Sequence, residues 1–241
     1  MRDGVAWLTL ARAATGNRLD AELCAALVEA CEIVDDAGDV RVVVLAGAGR
    51  AFCLGLRRGC AWLERSWPDP VAAVAAVGKP VIAALHGETS GWGLALALAC
   101  DLRVAATDAV LQLREVRQGR LPGGGVTQRL PRIVGVARAL ELVLLGTALT
   151  ASGAVEWGLV RASVVPARLH ETVAELAATL AARGPLALRL AKEAVVRALD
   201  APLADGIRLE QDLYVLLQTT ADRGEGVRAF LDRRRPRFGG R

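Results

Sequence analysis

Lys79-Pro80-Val81-Ile82-Ala83-Ala84-Leu85-His86-Gly87-Glu88-Thr89-Ser90-Gly91-Trp92-Gly93-Leu94-Ala95-Leu96-Ala97-Leu98-Ala99-Cys100-Asp101 is the stretch that decides the fold. Val81–His86 is an apolar run of strand length, and Leu94–Cys100 is an apolar run with no polar face. A helix that is apolar all round must be buried. The glycines between them, Gly87 to Gly93, predict a loop that opens this helix. Glycines ahead of a helix let its first N–H groups face an anion, with the helix dipole assisting. Asp101-Leu102-Arg103-Val104-Ala105 then reads as a second strand.

Working outward, the same alternation of strand and helix holds on both sides. Upstream, Val5–Leu10 reads as a strand, and Asp20 as the N-cap of a helix from Ala21 to about Asp36. Leu23, Ala26, Leu27, Ala30 and Ile33 recur at helical spacing and mark its apolar face. Val40–Leu45 is a β-branched strand, followed by Gly47-Ala48-Gly49-Arg50-Ala51-Phe52-Cys53-Leu54-Gly55. Its GxG invites a dinucleotide reading, but Phe52 replaces the third glycine of that fingerprint, and no acidic strand end follows at the required spacing. The plain alternative is a strand followed by a tight turn; the preferred reading is a loop that ends at Gly55-Leu56-Arg57 and presents backbone N–H groups to a ligand.

Downstream, Leu111–Leu113 is a short strand and Pro122-Gly123-Gly124-Gly125 opens a helix at about Val126. Val136–Leu145 and Ala151–Glu156 are helical, and Val160–Val165 is the last strand. Four helical segments follow: Leu169–Arg183, Pro185–Leu199, Pro202–Leu217 and Asp222–Arg235. The chain is therefore an α/β core at 1–184 with a helical C-terminal region at 185–241. Leu209, Leu213, Leu216 and Leu217 form a stripe that calls for a cover, either the chain's own core or another subunit.

The 241 residues are 53% hydrophobic, which supports a substantial core and excludes a chain disordered as its main state. No apolar run reaches the roughly 18–20 residues of a membrane span. The N-terminus lacks a signal-peptide pattern, so the expected location is cytoplasmic. The net charge is +4, with the basic residues mostly scattered and aromatics only 4%, which argues against nucleic acid. The dense run Arg233-Arg234-Arg235 with Arg237 reads as a solvated tail or a local phosphate site. Five cysteines without a CxxC and only two histidines, His86 and His170, argue against a metal site and a Ser-His-Asp triad. Chemistry must come from carboxylates, backbone N–H groups or arginine. Glu115, within Arg114-Glu115-Val116-Arg117 just ahead of the glycine loop, is a third segment to weigh, although a lone Glu between arginines is usually a surface salt bridge.

Taken together and in order, these segments resemble the enoyl-CoA hydratase/isomerase (crotonase) family. The resemblance rests on Val40–Gly55, Lys79–Asp101, the run Leu121-Pro122-Gly123-Gly124-Gly125-Val126-Thr127-Gln128-Arg129-Leu130-Pro131-Arg132, then Leu149–Ser152, Glu156–Val160 and Glu225–Pro236. It implies a crotonase-like ββα spiral core with a helical C-terminal trimerisation region, a homotrimer or homohexamer, and an acyl-CoA substrate. It implies no cofactor beyond the coenzyme A carried by the substrate. It assigns the oxyanion hole to the backbone N–H groups of Leu56 and Trp92, and the catalytic carboxylate to Glu115. The family's hydratases use a second glutamate, and the matching position here is Ala95. Trp92 stands where the family has glycine, and Arg57 where it has an acidic residue. Arg57 and Arg58 are the expected contacts to the CoA phosphates. One carboxylate fits Δ3,Δ2-enoyl-CoA isomerisation best. The alternatives are hydration at reduced efficiency, decarboxylation of an acyl-CoA, and a catalytically silent member that binds CoA esters.

Overall fold

The β-branched runs line up as one parallel sheet in the computed structural model, which describes residues 4–57 and 67–241. Its strands are β1 (Val5–Leu10), β2 (Val42–Gly47), β3 (Val81–Leu85), β5 (Leu102–Ala106) and β8 (Ala162–Val164), in the order β1-β2-β3-β5-β8. A second sheet joins β4 (Glu88–Ser90), β6 (Val110–Gln112) and β7 (Ala148–Thr150). Residues 88–90 were expected in a loop. They form a strand because Glu88, Thr89 and Ser90 pair with Val110, Leu111 and Gln112, a partnership too short to show in sequence periodicity.

Parallel strands are buried on both faces, which is why they read as continuous apolar runs. Alternate side chains part to opposite sides. Val42, Val44, Ile82, Ala84 and Val104 pack against Leu169, Val173 and Ala177 of α7 (Pro166–Ala181). Val43, Leu45, Ala83, Leu85 and Ala105 belong to the main core with α1 (Ala21–Asp36), α2 (Pro70–Ala76) and α3 (Trp92–Ala99). The sequence reading passed over α2, which starts at Pro70 with Asp69 accepting hydrogen bonds from Val71 and Ala72 N–H.

Asp20 caps α1 as expected, accepting from Leu23 N–H at 3.0 Å. The buried face of α1 is Cys24, Leu27, Cys31 and Val34, whereas Ala26 is exposed and Ile33 is 57% exposed. The predicted stripe is thus one position off, because the two cysteines act as small apolar core residues. Burial pushes the Cys31 thiol up to about 11.

All eight residues of α3 are buried. The helix needs partners for its terminal carbonyls, and these come from Arg103 of β5, itself buried. Its guanidinium donates to Ala97 O at 3.1 Å, Cys100 O at 2.6 Å, Leu159 O at 2.7 Å and Asp101 O at 3.3 Å. Burial lowers the Arg103 pKa, yet the cation sits at the negative end of the helix dipole. The Asp101 carboxylate takes Val81 N–H and Lys192 Nζ, both at 2.7 Å, tying the strand ends to α8 (Pro185–Arg197).

The glycine loop leads into α4 (Val126–Val134), followed by α5 (Val136–Leu140), a single π turn over Glu141–Leu145, and α6 (Ala151–Glu156). After α8 come α9 (Leu203–Gln218) and α10 (Ala221–Leu231). Neither α8 nor α9 buries a residue fully; Leu209, Leu213 and Leu217 of the stripe are half-buried and Leu216 is exposed, so the chain itself covers the stripe only in part. Leu203 is 80% exposed and Phe230 82%. The C-terminal tail folds back: Asp222 accepts from Gly239 and Gly240 N–H, and Arg41 donates to Phe238 O at 2.6 Å. Among the described residues, no helix is long and apolar enough to cross a membrane.

Replacing Arg103 with Met keeps the side-chain length and removes every donor. The carbonyls of Ala97, Cys100 and Leu159 then lose a buried partner, and the expected loss of stability is about 2–4 kcal/mol. Urea denaturation of the two proteins measures it; an unchanged midpoint would show that water replaces the guanidinium.

Candidate active site

The site is built on the segment 48–57 and the start of α3. Asn17, buried and at φ 54, holds this segment from below. Its Nδ2 donates to Ala48 O at 2.9 Å, Ala51 O at 2.8 Å and Phe52 O at 3.1 Å, while Oδ1 accepts from Arg12 N–H at 2.9 Å. The segment then runs beside β4, with Phe52 N–H donating to His86 O and Ser90 N–H to Cys53 O. Phe52 is fully buried and anchors the turn.

Gly55 brings the two halves together. Its φ is 80, and a Cβ there would lie 3.0 Å from Ser90 O and 3.4 Å from Trp92 N. A side chain would therefore both strain the backbone and push the segment off α3. Leu56 is fixed from its other side, where Leu19 N–H donates to Gly55 O and Arg57 N–H to Leu19 O, both at 2.8 Å. In such a bridge the Leu56 N–H points away from Leu19, and no group among the described residues accepts from it. Arg18 Nη1 straps the segment by donating to Leu54 O at 2.7 Å and Leu56 O at 3.2 Å. Trp92 opens α3, so its backbone N–H lies at the positive end of that helix dipole.

On an extended segment Arg114 would point away from Glu115 and Arg117 would lie on its side. In the structure Glu115 instead has helical dihedrals and starts a 3₁₀ turn over Val116–Gln118. Arg114 pairs with Glu88 at 3.2 Å, and Arg117 packs against Gly146. Neither neutralises Glu115. The carboxylate rests against the Gly91 backbone, where a Cβ would meet Oε1 at 2.5 Å. The other oxygen, Oε2, is buried with no hydrogen-bond partner among the described residues. A buried acceptor left unpaired is costly, and such groups concentrate where a ligand completes them.

Leu56, Arg57, Trp92 and Glu115 line one cavity of about 770 Å³, together with the glycine loop. Ala95 does not reach it. A Cβ on Gly124 would lie 2.7 Å from Ala95 Cβ and 3.3 Å from the Trp92 indole, so the glycine loop seals Ala95 beneath it. Arg57 is exposed at the cavity, 3.8 Å from Asp20. Arg58 lies outside the described residues. In the C-terminal run, Arg234 is committed to Glu225 at 2.7 and 3.0 Å, and holds that carboxyl down to about 2. Asn17 and Arg18 were not singled out from sequence; the Gly16-Asn17 turn dipeptide is the only local signal for either.

Ala95→Glu is expected to destabilise the protein rather than furnish a second working carboxylate. The new side chain has no route past Trp92 and the glycine loop, so an ionisable group is buried without a partner. The expected loss is about 2–5 kcal/mol, measured by chemical denaturation. Adding Trp92→Gly should recover part of it, because the indole's space becomes available; no loss in the single variant would mean that the loop yields.

A profile described as enoyl-CoA hydratase/isomerase matches residues 1–241. Among relatives, (E)-benzylidenesuccinyl-CoA hydratase of Thauera aromatica is 38% identical over 98% of this chain and 96% of its own length. The 2,3-dehydroadipyl-CoA hydratase of Escherichia coli K12 is 39% identical over 97% of this chain and 94% of its own. The crystal structure of an enoyl-CoA hydratase from Bacillus anthracis superposes with a TM-score of 0.93 at 37% identity, covering 99% of this chain and 96% of that one.

Proposed function

The chain belongs to the enoyl-CoA hydratase/isomerase family, and within it we propose a one-carboxylate enzyme that moves the double bond of a 3-enoyl-CoA thioester to the 2-position. The observation that carries this reading is the pairing of Glu115 with Ala95. Glu115 Oε2 is buried and unpartnered beside the cavity, whereas Ala95 is sealed under Trp92 and Gly124. Asp69 also lines the cavity, but it is exposed and its Oδ1 caps α2, accepting from Val71 and Ala72 N–H.

In the proposed reaction the thioester carbonyl accepts from the N–H groups of Leu56 and Trp92. Glu115 takes a proton from the α carbon, and the electron pair spreads over the oxygen, the α carbon and the former double bond. The same carboxylic acid returns its proton to the γ carbon, leaving the 2-enoyl thioester. Each donor to the oxygen strengthens as charge develops, and loss of one such donor typically costs about 10²–10³-fold in rate. The CoA phosphates face Arg57, whose guanidinium fork suits phosphate oxygens. Coenzyme A enters as part of the substrate, and no step calls for a separate cofactor. Hydration of a 2-enoyl thioester, with Glu115 holding the water, is the second reading. The hydratase names of the two relatives favour it.

Glu115→Gln keeps the shape and removes the base. Isomerisation of 3-enoyl-CoA should fall by at least about 10²-fold, with products of a panel of 2-enoyl, 3-enoyl, 3-hydroxyacyl and malonyl thioesters followed by mass. Full activity in the variant would mean that another group moves the proton.

The uncovered faces of α8, α9 and α10 support a trimer or hexamer as the working assembly, since apolar patches of this extent mark contact surfaces. Light scattering should return a multiple of the 25.3 kDa chain mass. A monomer at micromolar concentration would overturn the assembly.

A further inference from the structure

The part of the cavity beyond Glu115 carries a charge that double-bond migration does not use. With the thioester oxygen at Leu56 and Trp92, and the reacting carbons at Glu115, the turn that follows Glu115 is a lining that the rest of the acyl chain can reach within the same cavity. Gln118 and Arg120 line the cavity there. This turn is stiff: Gln118 and Arg120 N–H both donate to Glu115 O, at 2.9 and 2.8 Å, and Gly119 N–H donates to Val116 O. The position of Arg120 is therefore set by the same residue that supplies the carboxylate.

The other described arginines at the cavity have other roles. Arg114 pairs with Glu88, Arg57 is assigned to the CoA phosphates, and Arg18 and Arg129 donate to main-chain carbonyls of the oxyanion and glycine loops. The Arg120 guanidinium meets only the neutral side-chain oxygen of Gln118 and has no carboxylate partner among the described residues. A hydrocarbon tail laid against it would strip water from a cation and return nothing. A carboxylate would return a charge-assisted, two-pronged pair. The Gln118 amide, by holding one edge of the guanidinium, leaves the other edge for such a ligand.

We propose that Arg120, oriented by Gln118, forms a subsite for a carboxylate at the far end of the acyl group, so that the substrate class is the CoA monothioester of an unsaturated dicarboxylic acid. This rests on the acyl-CoA reading of the cavity and narrows it.

The test compares matched 3-enoyl-CoA thioesters of six and eight carbons, each ending in a methyl group or in a carboxylate. At one length or the other, kcat/KM should favour the carboxyl-ended member by about tenfold or more, the worth of a hydrogen bond to a charged group. Arg120→Gln should bring that ratio close to one, Arg120→Lys should restore part of it, and added salt should shrink it. A wild-type ratio near one at both lengths would overturn the subsite. So would an Arg120→Gln variant that slows both members equally, because the anion would then be a CoA phosphate. If no thioester is turned over, the isomerase reading fails separately. Calorimetric binding of the saturated pairs then decides the subsite: tighter, Arg120-dependent binding of the carboxyl-ended thioester supports it, and equal binding overturns it.

Discussion

The burial of α3 on every side is the constraint on which the rest of the molecule depends. A helix whose eight residues are all buried has no solvent to satisfy its ends. Arg103 meets this need at one end, its guanidinium spread over the carbonyls of Ala97, Cys100 and Asp101 and across to Leu159. With the C-terminal end fixed, the N-terminal end at Trp92 has one direction left, toward the cavity. Surrounding α3 in turn requires the sheet below, α1 and α2 beside it, and the glycine loop above.

The same packing explains why so many glycines cluster at the cavity. Three chain segments approach one another closer than any side chain permits: Gly55 lies against Ser90 and Trp92, Gly91 against Glu115, and Gly124 against Ala95. Each is a place where the main chain is the lining. A wall made of backbone offers N–H donors that do not change rotamer, which is the kind of preorganisation that stabilising a developing oxyanion demands. Asn17 and Arg18 serve that wall from outside it, one pinning the carbonyls of Ala48, Ala51 and Phe52, the other those of Leu54 and Leu56.

Charge follows a matching division. Only two lysines occur in the chain, and both donate to main-chain carbonyls, Lys79 to Val34 and Ala37, Lys192 to Val77 and Lys79, with Lys192 also paired to Asp101. The cavity's cations are all arginines, whose planar fork can serve a carbonyl with one nitrogen and a ligand with another. Among the described residues Glu115 and Asp69 are its carboxylates, and Glu115 is the one with a buried oxygen that has no partner.

Most of the order of strands and helices, the N-cap at Asp20 and the buried character of α3 were legible in the sequence as local facts: apolar runs, a capping residue, a glycine before a helix. The candidates Leu56, Trp92 and Glu115 came from the resemblance of several motifs taken in order. Tertiary structure decided what depends on residues distant along the chain. The α1 face turned to Cys24, Leu27, Cys31 and Val34 because the neighbouring helix and sheet select which stripe is covered. β4 exists because β6 is there to pair with it. Glu115 left the extended form for a 3₁₀ turn, which removed Arg117 from its side and set Arg120 along the cavity. The sealing of Ala95 by Trp92 and Gly124 joins residues about thirty positions apart. Periodicity and capping are fixed by backbone geometry within a few residues, whereas contacts across such separations are chosen by close packing of the whole core.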